Sequence, residues 1–147
     1  MATKTGVQLV RTADVDTWYR AGGAEMALGD VIDASNNAPD SMSVGFARYR
    51  AGASNPWTVT YDEALIIMSG RFSVRSGAEV TTAKAGEVIF LRAGTAVTYA
   101  ADEDTALVYV THPHWYAATL ASEHAAQLDA FGEIDARTAA SFVSGTP

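Results

Sequence analysis

The chain has 147 residues, no cysteine, a formal charge of -7 and a pI near 4.7. The charge argues against nucleic acid or an anionic membrane as a partner, and the lack of cysteine excludes disulfides, thiolate metal sites and cysteine nucleophiles. The first residues lack the apolar run of a secretory signal, and no stretch is apolar enough to span a bilayer. These features predict one soluble, cytoplasmic domain with a sizeable core.

Short strand patterns dominate the first third of the chain. We predict a strand over residues 7–11, an irregular or helical turn over residues 12–20, and strands over residues 28–33 and 42–50. In the last of these, whether Arg48 or Tyr49 faces inward depends on the register. An inward Arg48 could hold a substrate carboxylate through two hydrogen bonds. We assign Phe46, Arg48 and Tyr49 as candidate substrate-binding residues.

The stretch over residues 56–70 is the most informative part of the sequence. It begins with aromatic and β-branched residues, continues as an apolar run over residues 64–68, and reaches a Ser-Gly turn. Because strand residues alternate between faces, Trp57, Val59, Tyr61 and Glu63 share one face of an extended strand. Inside a barrel, this places a carboxylate and a phenol in apolar surroundings, which is costly unless they are hydrogen-bonded or used.

The remaining pattern predicts more strands and then a helix. Short strand signals recur near residues 64, 72, 80, 88, 97 and 108 with turn signals between them, a spacing typical of an all-β sandwich or barrel. From residue 115 the apolar period becomes helical, and the predicted stripe is Tyr116, Leu120, His124, Leu128 and Phe131. A shorter helix is predicted over residues 135–143. We expect the stripe to pack on the outside of the barrel or on another subunit; a lid over the barrel mouth is the alternative.

Several stretches resemble the cupin superfamily and, within it, the EutQ-like branch of ethanolamine-utilisation proteins. Six residues separate Glu63 from Gly70, as in the first cupin motif, and residues 86–94 resemble the second motif, with Arg92 in its proline position. Residues 56–63, 83–90 and 109–115 are similar to EutQ-like proteins. The resemblance implies an all-β, double-stranded β-helix (a jelly-roll barrel) over residues 1–114 with an N-terminal strand and loop. A C-terminal α-helical extension over residues 115–147 and a homodimer are also expected.

The resemblance also bears on metal binding. Metal-binding cupins hold their ion with three histidines and the glutamate, and Trp57, Val59 and Val97 stand in the histidine positions here. Their side chains offer no lone pair to a divalent ion, so we expect no metal and no other cofactor.

An alternative metal site stays open at this point. His112 and His114 are two residues apart and would face the same way on a strand, so they could join Glu63 in a 2-His-1-carboxylate site. The other interpretation is that both histidines only close the last strand.

The candidate catalytic residues are Glu63, Tyr61 and Tyr99. A buried carboxylate away from a cation has a raised pKa and can work as acid or base near neutral pH. A phenol can donate to a carbonyl or a developing oxyanion. All three could instead be structural. Trp57, Val97 and His112 complete the candidate substrate-binding set.

We therefore expect a small-molecule enzyme with metal-independent lyase or isomerase chemistry in the barrel. The alternative is a non-catalytic small-molecule-binding or scaffold protein that is an accessory of a catabolic pathway or microcompartment. The resemblance also implies acetate kinase activity, which we discount because the sequence shows no phosphate-cradling loop and no basic cluster around Glu63.

Overall fold

Eleven strands run through the residues that the computed structural model describes, which are residues 6–33 and 41–142. They are β1 (Trp18–Ala21), β2 (Met26–Ile32), β3 (Ser43–Tyr49), β4 (Ser54–Thr58), β5 (Asp62–Ser69), β6 (Arg71–Ser76), β7 (Glu79–Lys84), β8 (Val88–Leu91), β9 (Ala96–Ala101), β10 (Thr105–His112) and β11 (Phe131–Ile134). The helices of this part of the chain are α1 (Trp115–Leu120), α2 (Ala136–Ser141) and 3-10 turns at Thr12–Asp14 and Ala125–Ala130.

The strands form two antiparallel sheets with the core between them. The larger sheet has the order β11-β1-β2-β3-β10-β5-β8, and the smaller one has the order β4-β9-β6-β7. Strands that are distant in sequence are neighbours, such as β3 with β10 and β4 with β9, as the crossovers of a jelly roll require. The predicted all-β jelly-roll barrel with a small C-terminal helical part is confirmed.

Strand alternation decides which side chains reach the core. In β5, Glu63, Leu65 and Ile67 are buried, and in β10, Leu107 and Tyr109 are buried, while the residues between them are half-buried. Because successive side chains of a strand point to opposite faces, the odd-numbered residues of both strands point between the sheets. The single carboxylate among these five side chains is therefore an interior group.

Gly70 makes the tight turn between β5 and β6 possible. Its φ is 85°, and a Cβ atom at this position would lie 2.1 Å from the carbonyl oxygen of Asp104. A side chain here would meet both backbone strain and a clash with a backbone atom. The spacing from Glu63 to Gly70 therefore places the inward carboxylate near the start of β5 and the turn directly after its end.

A second apolar cluster covers the outer face of the larger sheet at β1, β2 and β3. Its buried members are Val15, Trp18, Ala27, Val31, Ala139 and Phe142. The last two residues belong to α2 and its end, so this part of the C-terminal segment packs on the outside of the barrel. The expected boundary at residue 114 remains a prediction, and residues 1–5, 34–40 and 143–147 lie outside the described residues.

The N-terminal strand predicted over residues 7–11 is wrong. This stretch has no regular secondary structure, and the first strand is β1. The side chains of Val7 and Leu9 are 88% and 69% exposed, so burial does not favour an extended, half-buried strand at this position.

The helix predicted over residues 115–131 is replaced by α1, a 3-10 turn and the start of β11. Tyr116 and Leu120 of the predicted buried stripe are 48% and 59% exposed, whereas Leu128 is buried. Gln127 holds the chain against strand β4: its Oε1 accepts from the Thr58 amide at 3.0 Å, and its Nε2 donates to the Thr58 carbonyl at 2.8 Å. This contact favours the 3-10 turn over a continuous helix. The shorter predicted helix is present as α2.

None of the helices in residues 6–33 and 41–142 is long and apolar enough to cross a bilayer.

The outer face of strands β10, β5 and β8 is apolar and open. Cross-strand register aligns it in two rows, Val108-Ile66-Val88 and Val110-Ala64-Phe90. Val88 and Phe90 are 57% and 55% exposed, as is their neighbour Met68 at 59%. Three strands about 4.8 Å apart and two rows about 6.8 Å apart give a patch of roughly 200 Å² in projection. A contiguous apolar face of this kind is a candidate interaction surface.

We propose that this face pairs with a second copy of the chain, which is the expected homodimer. A charge of -7 opposes contact between charged surfaces of two copies, so this apolar face, with the Arg92 guanidinium 5.4 Å from the Phe90 ring centre at its edge, is where they approach at least cost. Phe90→Lys should convert the dimer to a monomer in size-exclusion chromatography with light scattering. Val80→Lys, the same change at an exposed valine of the smaller sheet, should not. A monomeric wild type, or a dimer that survives Phe90→Lys, contradicts the proposal.

Candidate functional site

A cavity between the two sheets gathers the polar side chains of the barrel interior. The empty space in this region is about 480 Å³, part of which is open solvent. The apolar part of its wall is Leu28, Ala47, Leu65, Phe72, Leu107 and Phe131, and the polar part is Tyr49, Asn55, Trp57, Tyr61, Glu63, Tyr99, Tyr109 and Trp115. None of these lining residues is lysine or arginine.

Glu63 is the acidic group of this wall. Strand β5 places it opposite Leu91 on β8 and Thr111 on β10, and it is 6% exposed. Tyr99 Oη donates a hydrogen bond of 2.6 Å to Glu63 Oε1. Burial raises the pKa of Glu63 to about 7, because the charged form loses its water, and the Tyr99 hydrogen bond offsets only part of this effect. Glu63 can therefore take up or release a proton near neutral pH.

Two hydrogen bonds lie next to each other on the side of the cavity that carries Glu63. Trp57 Nε1 donates to Tyr61 Oη at 2.8 Å, and Tyr99 Oη donates to Glu63 Oε1. Since each phenol has one hydrogen, Tyr99 has none left for another acceptor. Burial first, and then the charge of Glu63, raises the pKa of both phenols well above the usual value. Both tyrosines therefore keep their hydrogens when Glu63 is ionised.

A second carboxylate, Asp30, accepts hydrogens from two further wall residues. Tyr109 Oη donates to Asp30 Oδ1, and Trp115 Nε1 donates to the same oxygen at 2.9 Å. Asp30 on β2 and Tyr109 on β10 both pair with Gly45 on β3. A Cβ atom at Gly45 would lie 2.1 Å from Tyr109 Oη, so glycine leaves the room through which the phenol reaches Asp30. His114 Nε2 lies 3.4 Å from Asp30 Oδ2.

The C-terminal segment forms one side of the cavity. The ring centres of Trp115 and Phe131 are 5.5 Å apart, and Phe131 packs edge-on against Trp57 at 5.3 Å. Thr119 Oγ1 and Thr60 Oγ1 are hydrogen-bonded at 2.9 Å, which ties α1 to the turn before β5. Phe131 of the predicted stripe thus borders the cavity together with Trp115, whereas α2, which is not part of that stripe, packs on the outer face of the larger sheet.

The structure brings the candidate catalytic residues together. Glu63, Tyr61 and Tyr99 all line the cavity, and so do Trp57 and Tyr49 from the candidate binding set. Their roles in catalysis or binding remain predictions.

Two other candidate binding residues, Phe46 and Arg48, lie outside the cavity, and this part of the prediction is corrected. Strand β3 turns Ala47 and Tyr49 inward, so alternation turns Phe46 and Arg48 to the outer face. There the Arg48 guanidinium lies 4.9 Å from the Trp18 ring centre, and burial lowers the pKa of Arg48.

Val97 and His112 do not line the cavity either. Val97 is buried in the core opposite Trp57 on β4, and His112 is exposed at the end of β10. His114 is buried and begins helix α1 as its N-cap. Because the strand ends at His112, strand alternation does not extend to His114, and the two histidines do not face the same way. The structure therefore does not bring His112 and His114 together with Glu63, and the prediction of an alternative metal site is corrected.

The side chains inside the barrel do not provide the ligands that a metal ion needs. Within residues 6–33 and 41–142, no group of three or more His, Asp or Glu side chains could hold one. Trp57, Val59 and Val97, at the positions where metal-binding cupins carry histidine, are buried in the core. An indole N–H only donates and an alkyl side chain offers no lone pair. The expected absence of a metal remains a prediction that elemental analysis can test.

Sequence reasoning missed Asn55, Tyr109 and Trp115 as wall residues and Asp30 as their partner. Tyr109 could have been found, because it shares the odd parity of Leu107 on an alternating strand. Trp115 was assigned to a helix without a position relative to the barrel. Asp30 carries no local signal, since its role depends on strands that meet only in the folded sheet.

A family model described as ethanolamine utilisation protein EutQ matches residues 4–118. The chain belongs to the EutQ family. Acetate kinase EutQ of Salmonella typhimurium is 31% identical to it over 113 residues, which are 75% of this chain and 48% of the relative. The EutQ-family chain thus spans about half the length of this curated relative.

Solved structures agree with this fold assignment. The crystal structure of an ethanolamine utilisation protein Q from Salmonella typhimurium matches with a TM-score of 0.56 and 31% identity, covering 60% of this chain and 69% of that one. An RmlC-like cupin from Shewanella frigidimarina matches with a TM-score of 0.54 and 12% identity, covering 67% and 85%. The second likeness shows the fold alone. The cupin and EutQ-like resemblance is confirmed.

Trp115→Ala should lower stability strongly. The side chain is 6% exposed, hydrogen-bonded to Asp30 and packed on Phe131, and truncating a buried tryptophan costs about 3–5 kcal/mol. Urea unfolding should report a loss of this order. Tyr116→Ala removes an exposed neighbouring ring and should cost less than about 1 kcal/mol. Equal losses for the two variants would show that Trp115 does not hold the segment on the barrel.

Glu63 should also make stability depend on pH. Its pKa in the folded chain, about 7, lies above the ordinary value of 4.5, so the folded state binds this proton more tightly than the unfolded chain does. The contribution of Glu63 to the free energy of unfolding is therefore largest below pH 4.5, falls between pH 4.5 and about 7, and is constant above that. The total fall approaches roughly 3 kcal/mol.

Glu63→Gln removes the titration, so the wild type and this variant can be compared by urea unfolding between pH 5 and pH 8. The difference between their free energies of unfolding should shift by most of that amount, in the variant's favour as pH rises. A difference that is constant with pH would show that Glu63 titrates at its ordinary value.

Proposed function

We propose that this EutQ-family chain is a small-molecule enzyme in which Glu63 performs acid–base chemistry of lyase or isomerase type. The main support is a carboxyl group in the wall of an apolar cavity whose pKa lies near 7. A general acid or base works best when its pKa is close to the working pH. Tyr99 occupies Oε1 of Glu63, which leaves Oε2 as the atom that exchanges a proton with the substrate.

Tyr99 acts on Glu63 in this proposal. Its hydrogen goes to Glu63 Oε1, so Tyr99 holds the carboxylate in one orientation and stabilises its charged form. This differs from the expected role of a phenol that donates to a substrate oxyanion, which stays the role proposed for Tyr61. Tyr99 is therefore a positioning residue, and Glu63 is the catalytic residue.

Acetate kinase, the activity in the curated relative's name, is not what this cavity favours. Acetate and phosphate groups are anions, and the lining residues include no lysine or arginine to bind them. Glu63 adds negative charge when it is ionised, which opposes an anion further. The relative is also about twice as long as the part that this chain matches.

Deuterium exchange can test the proposal before the substrate is known. A panel of small hydroxy-carbonyl and ketone compounds is incubated with the protein in D₂O, and NMR follows deuterium incorporation, dehydration and isomerisation. At least one compound should react with the wild type, and Glu63→Gln should slow that reaction roughly 10²–10⁴-fold, the usual contribution of general acid–base catalysis. Tyr61→Phe and Tyr99→Phe should reduce the rate less.

The matched control is Glu79→Gln, which neutralises an exposed glutamate at the start of β7 and should leave the rate unchanged. If no compound reacts while several bind, the alternative expected from the sequence, a non-catalytic binding or scaffold protein, replaces the enzyme proposal. A rate that Glu63→Gln leaves unchanged would place the chemistry on another residue.

A further inference from the structure

We propose that the barrel cavity binds uncharged small molecules that carry a hydrogen-bond-donating hydroxyl group on an apolar body. This assignment names the substrate class of the proposed enzyme, and to that extent it rests on the proposed function. The main support for this assignment is the direction of the hydrogen bonds that the polar groups of the cavity wall donate.

Five wall residues have given their polar hydrogens to neighbours. Tyr49 Oη donates to Asn55 Oδ1 at 3.1 Å, Trp57 Nε1 donates to Tyr61 at 2.8 Å, and Tyr99 Oη donates to Glu63 at 2.6 Å. Tyr109 and Trp115 both donate to Asp30. An indole has no other polar hydrogen, and a phenol has only one. These five groups therefore have none left for a ligand.

The oxygens of the same wall keep their lone pairs. A phenol oxygen that donates its hydrogen still accepts, and an ionised carboxylate only accepts. The donors that remain in the wall are the Tyr61 hydroxyl, the Asn55 amide and, when it is protonated, the Glu63 carboxyl. A ligand that brings its own hydrogen thus meets more acceptors than donors, whereas a ligand with acceptors only can bond to these three groups alone.

Asp30 takes the hydrogen of the Tyr109 hydroxyl group. Asp30 does not line the cavity, and the phenol reaches it in the space that the missing side chain of Gly45 on β3 leaves free. Without this acceptor the hydroxyl hydrogen of Tyr109 could turn toward a ligand. Asp30 is therefore a positioning residue that makes Tyr109 an acceptor.

The charge of the wall excludes ionic ligands. No lysine or arginine is present to pair with an anion, and six of the fourteen lining residues are aliphatic or phenylalanine. A cation could pair with Glu63, but both ions would lose their water, and that cost commonly exceeds the gain of a buried pair. A hydroxyl group makes the same hydrogen bond without this cost.

A cyclohexyl series tests the inference, because the body stays constant while the polar group changes. The probes are cyclohexanol, the acceptors cyclohexanone and methoxycyclohexane, cyclohexanecarboxylate, and cyclohexylammonium. Binding is measured by NMR from the indole N–H signals of Trp57 and Trp115, which both line the cavity. Cyclohexanol should bind most tightly, the two acceptors more weakly, and the carboxylate not at all.

Tyr109→Phe isolates the hydrogen bond. The change removes one acceptor oxygen and should weaken cyclohexanol binding roughly two- to tenfold, the size of one neutral hydrogen bond, while cyclohexanone binding stays the same. Tyr116→Phe removes a phenol oxygen outside this cavity and should change neither. An unchanged Trp57 indole signal in free Tyr109→Phe shows that the wall is intact, because Trp57 donates to Tyr61 and shares no acceptor with Tyr109.

Tighter binding of cyclohexanone, the carboxylate or the ammonium ion than of cyclohexanol would overturn the inference. So would a loss in Tyr109→Phe that is equal for cyclohexanol and cyclohexanone. These outcomes are distinct from failure of the proposed function, since binding of cyclohexanol as expected, with no compound turned over in D₂O, leaves the ligand class standing and removes only the chemistry.

Discussion

Burial of one carboxyl group is the constraint on which the site depends. Removing Glu63 from water disfavours its charged form, and the single phenol hydrogen from Tyr99 repays only part of that cost. A carboxyl group held this way lowers the free energy of unfolding when it is ionised. Small changes in pH decide whether it is protonated. The two sheets maintain it, because the strand that carries Glu63 lies between two neighbours and ends at a turn that requires Gly70.

The polar interior is ordered around two carboxylates. Tyr99 donates to Glu63, and Tyr109 and Trp115 donate to Asp30, so most phenol and indole hydrogens of the wall are used within the protein. Satisfied networks of this kind stabilise buried polar groups, whereas a half-satisfied one would be worse than an apolar core. The same order leaves acceptor oxygens toward the cavity. Stability and ligand preference therefore have one physical origin, which is the fixed direction of each hydrogen.

The C-terminal segment contributes to both sides of the larger sheet. Its first residues border the cavity through Trp115 and Phe131, while Phe142 packs on the outer cluster with Trp18. Strand β11 joins the sheet next to β1 and connects these two contacts. The segment is thus part of the packed structure, and a change in its aromatic residues affects the cavity and the fold together.

The sequence by itself determined the parts that depend on local pattern. Alternation and turn residues predicted the strands, the cupin motifs predicted the jelly roll, and parity placed Glu63 in the interior. Only the tertiary structure decided between Arg48 and Tyr49, because both registers of β3 satisfy the alternation and the Trp18 cluster selects one. It also decided the partnership of Asp30 with Tyr109. These residues are far apart in the chain, and their contact exists only where three strands pair in register.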